Sequence, residues 1–130
     1  MGNPFVHIEL TTTDLGKSKS FYKSLFDWQF NQWGSQKYWL IATGDKSQPG
    51  IDGGLLPRPT PAAPENMAAV NCYVCTIDVP NLDLYVDQAL KNGGTLALPK
   101  MPIPTVGWLA YCKDTEGNIF GMMQMDANAK

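Results

Sequence analysis

The chain has 130 residues, 44% of them apolar and 17% charged, with a formal net charge of −2. That fits one compact domain able to bury roughly two-thirds of its unfolded surface. Acids and bases are scattered singly, so the basic stripe needed to bind a nucleic-acid backbone is missing, and no apolar run nears the roughly 20 residues that span a bilayer.

The opening, MGNPFVHIELTTTD, lacks the basic start and apolar core of a signal peptide, so a cytoplasmic protein is expected. Phe5 to Thr12 is apolar and β-branched enough for a strand. Asp14 suits a helix N-cap, and Leu15, Ser18, Tyr22, Leu25 and Phe26 give the stripe of a helix ending near Phe26. Gln29 to Trp33 and Lys37 to Thr43 read as strands joined by a turn at Gly34-Ser35, with a short strand near Ile51 to Leu56. The segment PRPTPAAP, with prolines at 57, 59, 61 and 64, can continue neither ladder nor helix and reads as an extended connector over 57–68.

After the connector the pattern returns. Ala69 to Ile77 reads as a strand, Asp78 to Lys91 as a helix stopped by Gly93-Gly94, Thr95 to Leu98 and Trp108 to Cys112 as strands. Asp114 to Asn118 is a turn before a last strand, Ile119 to Met125. Each half is thus strand, helix, three strands. VHIELTTTD (Val6 to Asp14) lies over VNCYVCTID (Val70 to Asp78), and YWLIATGD (Tyr38 to Asp45) over GWLAYCKD (Gly107 to Asp114). Two matches in order point to an internal duplication. The expectation is a single α+β domain over 1–130, with one module over about 1–57 and a second over about 69–126. Two such βαβββ modules form an incomplete barrel whose concave cup suits a small molecule.

Cys72, Cys75 and Cys112 fall inside apparent strands, which favours reduced, packed thiols over a disulfide framework or a redox C-x-x-C.

The stretches VHIELTTTDLGKSKSFYKSLFDWQF and GWLAYCKDTEGNIFGMMQ resemble the vicinal oxygen chelate superfamily: glyoxalase I, bleomycin- and fosfomycin-resistance proteins and extradiol dioxygenases. The resemblance covers nearly the whole chain. In that family the metal ligands stand at four equivalent strand positions. Two lie seven residues before each aspartate, here His7 and Asn71. A carboxylate four residues after the glycine of the Gly-Asn turn corresponds to Gly121, and its counterpart in the first half falls among Gly53 and Gly54. The resemblance therefore implies one imidazole, one amide and no carboxylate, short of the three or more ligands that zinc, iron or manganese take. No cofactor is expected. A divalent metal is the alternative, with Asp52 or Glu9 brought in by a register shift.

His7 and Glu9 are two apart on one strand and face the same side, followed by Thr11, so they could form an acid–base pair or a structural one. Asn71, Tyr73 and Cys75 share a face of the repeat-related strand and could offer an amide, a phenol and a thiol. Trp39 and Trp108, matched by the repeat, could sandwich a flat or cationic ligand or form the core beneath the helices. Gly121 leaves room for a bulky ligand, with Met123 beside it as a pliable wall. Arg58 could close over an anion or sit in solvent. The leading expectation is a metal-independent cup binding a small organic molecule, in a homodimer that covers its edges across a two-fold axis. Next comes a glyoxalase-type lyase or isomerase working through His7 and Glu9. A structural protein whose cup is filled by its own side chains ranks third.

Overall fold

A computed structural model describes residues 2–59 and 73–130. The chain divides into two units, one of Met1–Val6 with Val74–Lys130 and one of His7–Tyr73. Of the connector, residues 57–59 are described and 60–68 lie outside the described residues.

The first unit in chain order contains β1 (Phe5–Thr12), α1 (Leu15–Phe26), β2 (Gln29–Gln32), β3 (Trp39–Ala42) and β4 (Gly53–Pro57), in sheet order β2-β3-β4-β1. β1 and β4 run parallel with Ile8 opposite Gly53 and Glu9 opposite Gly54, while β3 pairs antiparallel with Leu40 opposite Gly54. Asp14 caps α1 by accepting from Lys17 N, and Asp27 ends it in the left-handed region at φ 58°. Alternation along the strands decides what faces the helix. Leu10, Ile41 and Leu55 are buried there, against Leu15, Tyr22, Trp28, Phe30 and Trp39. Burying each of those three aliphatic side chains contributes about 1.5–3 kcal/mol. His7, Glu9 and Thr11 must then point to the opposite face.

The second unit holds β5 (Val74–Asp78), α2 (Leu82–Lys91), β6 (Thr95–Ile103), β7 (Gly107–Lys113) and β8 (Ile119–Met125), in order β5-β8-β7-β6. Its core is Val79, Leu82, Ala110, Cys112 and Met122, with Ile77, Tyr85, Val86 and Trp108 packed on it. The Asp114–Asn118 motif is a turn held by one side chain: Asp114 Oδ1 accepts from the backbone of Glu116 and Asn118, and Gly117 sits at φ 84°. These hydrogen bonds, with that from the Asn118 side chain first, hold the Asp114 carboxyl below its ordinary range.

Several strand ends differ from expectation by a residue or two, and two differences go further. β6 runs on through Pro99 and Pro102 to Ile103, with register irregularities between Leu96 and Leu98 and between Leu98 and Met101. It is the outer strand of its unit, where a missing N–H need not break a ladder. More consequential, α2 starts at Leu82 and not at Asp78. Asn81 is the cap, accepting from Leu84 N at 3.1 Å, and Asp78 remains in β5 opposite Met123. Asp78 is separated from the helix by Val79-Pro80, and the residue before a proline is driven to extended backbone. No helix among the described residues is long and apolar enough to cross a membrane.

Asn81→Ala should therefore lower stability by about 1 kcal/mol, read as a fall of about 2–6 °C in Tm. Asp78→Ala should cost less than half of that. The reverse ranking in thermal denaturation would put the helix start back at Asp78.

Candidate functional site

The corrected cap changes which residues of the two modules correspond. Counted from the N-caps Asp14 and Asn81, His7 corresponds to Val74, Glu9 to Thr76 and Gly54 to Gly121. The sheets agree: Glu9 pairs with Gly54 in parallel, and Thr76 pairs with Gly121 in the same way. Matching Asp14 to Asp78 slips β5 by three residues, and an odd slip turns a strand over. Hence Cys75 shares the face of Ile77, which packs on the α2 core, and Tyr73, just before the strand, is 49% exposed. They are not the counterparts of Glu9 and Thr11. Asn71 lies outside the described residues, as does Cys72. Cys112 is buried in the core, which pushes its thiol pKa up and makes it inert.

The tryptophans are also placed differently from a ligand sandwich. Trp39 packs in the α1 cluster and Trp108 in the α2 cluster, so both face helices. Each has a lysine ammonium 5.0 Å from its ring centroid, Lys19 for Trp39 and Lys100 for Trp108. Trp108 also donates its indole N–H to Asp126 at 3.1 Å. In the second unit Gly121 and Met123 alternate with the buried Met122, which puts them on the face away from α2 with Thr76 and Tyr111.

In the His7–Tyr73 unit one hydrogen-bonded chain gathers on the face away from α1. His7 Nε2 lies 2.7 Å from the Tyr38 hydroxyl oxygen, and that hydroxyl donates to Glu9 Oε2 at 2.9 Å. The imidazole and phenol rings are nearly parallel, 14° apart at 6.4 Å. A hydroxyl has one proton, and a carboxylate only accepts. With the Tyr38 proton directed to Glu9, His7 must donate from Nε2, which leaves Nδ1 as an acceptor in the neutral ring. Burial pushes the His7 pKa below its ordinary 6.5, and the charges of Glu9 and Asp52 pull it back only in part. Asp52 is itself held by the backbone N–H and hydroxyl of Thr43, at 2.8 and 3.1 Å.

In the sequence Tyr38 stands out only as the first residue of the repeated stretch Tyr38 to Asp45. The signal for its role was Gly54, because a glycine inside a strand marks close approach by another group. A Cβ on Gly54 would fall 1.9 Å from the Tyr38 hydroxyl oxygen. At Gly121 it would meet Thr76 Oγ1 at 3.0 Å and the Tyr111 ring at 3.1 Å. Both positions where the family resemblance puts a metal-binding carboxylate are therefore glycines covered by a tyrosine. Among the described residues no group of three or more His, Cys, Asp or Glu side chains converges to hold a metal ion. His7 and Glu9 are instead tied to one another through Tyr38. The described residues at these positions do not supply the three or more ligands that a divalent metal takes.

A family model described as the Glyoxalase/Bleomycin resistance protein/Dioxygenase superfamily matches residues 5–122, and the chain belongs to that family. Among curated proteins it is 30% identical over 122 residues to CFP32 of Mycobacterium bovis and of Mycobacterium tuberculosis, which carries a provisional glyoxylase name. The match covers 90% of this chain but 44% of CFP32, so the chain spans less than half the length of those relatives. Solved structures show the same fold. A superfamily member from Vibrio splendidus 12B01 is 15% identical with a TM-score of 0.62, covering 96% of this chain and all of that one. A methylmalonyl-CoA epimerase bound to methylmalonyl-CoA and NH4+ is 14% identical with a TM-score of 0.65, covering 98% of each.

As pH falls, the unfolded chain takes up a proton on His7 near 6.5 and the folded chain does so only at lower pH. Stability due to this group is thus complete above about 6.5 and declines as pH drops through the lowered folded value. His7→Gln should remove that segment of the stability–pH curve. Glu9→Gln, which deletes an opposing charge, should lower the His7 pKa further in an NMR titration of the single imidazole. A rise would contradict the geometry.

Proposed function

We propose that this protein binds a small organic molecule on the His7–Glu9 face of its first sheet, without using the divalent metal of its superfamily. The observation that carries this reading is the Tyr38 hydroxyl, which lies where a side chain at position 54 would stand and joins His7 to Glu9. A metal would have to break both hydrogen bonds and would then find one imidazole and one carboxylate. The same bonds fix the orientation of the imidazole and present Nδ1 to a hydroxyl or N–H donor of a ligand.

A second reading, a lyase or isomerase of glyoxalase type, is favoured by one feature. A neutral imidazole backed by Tyr38 and Glu9 can accept a ligand proton at Nδ1, and the imidazolium so formed is stabilised through the phenol by the carboxylate. Such a general base contributes about 10²–10⁴-fold in rate, and turnover would vanish in His7→Gln.

The test of the main reading is metal content of untagged protein, for wild type and His7→Ala, with thermal shifts on adding zinc, manganese, nickel or iron. No stoichiometric metal and no stabilisation are expected. Binding at 100 times Kd would add about 2.7 kcal/mol to stability. Near-stoichiometric metal that disappears in His7→Ala would overturn the reading.

A further inference from the structure

The hydrogen-bonded chain accounts for one end of this face, but a second charged group on the same unit is unexplained. Arg58 follows β4 directly. Its backbone N–H donates to Thr12 O at 2.8 Å, which extends the parallel ladder one step past the Thr12–Pro57 pair. Continuing the alternation of Gly54 and Leu56, its side chain belongs to the face of Glu9 and Thr11. There Nη2 donates to Thr11 O at 3.3 Å, while Nε is buried and has no hydrogen-bond partner. The ion pairs among the described residues are Lys23–Asp27 and Lys100–Asp83, and neither involves Arg58. A guanidinium stays charged at every pH a protein meets. Leaving one of its donors buried without an acceptor is costlier than losing a neutral hydrogen bond. An anion held by the Nη groups of the guanidinium offsets part of that cost, and a planar carboxylate can accept two parallel hydrogen bonds from them.

Glu9 and Thr11 are successive residues on this face of β1, so their Cα atoms are about 7 Å apart. The Tyr38 hydroxyl and His7 belong to the Glu9 end, and the guanidinium to the Thr11 end. We propose that Arg58 is the anion-binding arm of this site, and that its ligand is an organic carboxylate bearing a hydroxyl or N–H donor at its other end, the donor directed to His7. This rests on the reading of the His7 face given above and names the ligand class for it.

Three probes separate the two ends. 4-Hydroxybenzoate has both groups at para spacing, 4-hydroxybenzamide lacks the charge, and benzoate lacks the donor. Dissociation constants would be measured by NMR titration on the intact chain, for wild type, Arg58→Met and His7→Gln, after folding is checked by Tm. Wild type should bind 4-hydroxybenzoate at least tenfold tighter than either of the others. Arg58→Met should erase the preference for acid over amide, and Arg58→Lys should restore part of it. Equal binding of acid and amide by wild type, both weakened in His7→Gln, would end the role of Arg58 while leaving the His7 site standing. Affinities untouched by either substitution, or no binding of any probe, would overturn both.

Discussion

The site depends on one steric exchange: a missing side chain at position 54 makes room for the Tyr38 hydroxyl. With a Cβ there, the oxygen would be 1.9 Å away, far inside contact distance. Without it, a phenol from the start of β3 reaches across β4 to β1, which no residue of β4 itself could do as a donor. A hydrogen bond to a charged group is worth about 1.5–3 kcal/mol. The Tyr38–Glu9 bond fixes the Glu9 carboxylate and, through the shared oxygen, the donor role of His7 Nε2. Removing the phenol would leave a half-buried imidazole and a carboxylate that no longer share a partner.

The repeat shows that this exchange is a property of the scaffold. Gly54 and Gly121 stand at the same register in their sheets, opposite Glu9 and Thr76. Each lies beneath a tyrosine ring from the neighbourhood of the adjacent strand, Tyr38 or Tyr111. The first unit adds charge to this arrangement and the second does not, since Val74 corresponds to His7. Among the described residues the first unit therefore carries an imidazole and a carboxylate where the second has Val74 and Thr76. Membership of a superfamily with metalloenzymes in it tells little about such a site, because fold and chemistry are separable.

Much of the fold was legible because period-two strands and a capped helix leave strong marks. The observed β1 and β8 have the bounds expected from sequence, and α1 ends where its stripe ends. The second helix was misjudged because Asp78 and Asn81 are both good caps three residues apart, and only the hydrogen bond to Leu84 N distinguishes them. That slip carried over to the site, where it moved Tyr73 and Cys75 onto the wrong face. His7 and Glu9 were legible as a pair from their spacing. Their link was not, since it passes through Tyr38, 29 residues from Glu9 in sequence and oriented by packing on Gly54. Trp39 and Trp108 show the opposite hazard: repeat-matched aromatics look like a ligand clamp, yet alternation with Ile41 and Ala110 sends them to the helices.

The account stands on Tyr38 giving its proton to Glu9 and thereby setting the tautomer of His7. The most direct test is the ¹⁵N spectrum of the single imidazole in uniformly labelled protein at pH 7.5, with long-range correlation to the ring protons. A protonated Nε2 and an unprotonated Nδ1 are required, with the Nε2 proton shifted by its short bond to Tyr38 and released to faster exchange in Tyr38→Phe. A proton on Nδ1, or a doubly protonated ring at that pH, would show that the hydrogen-bonded chain runs otherwise and would contradict the account.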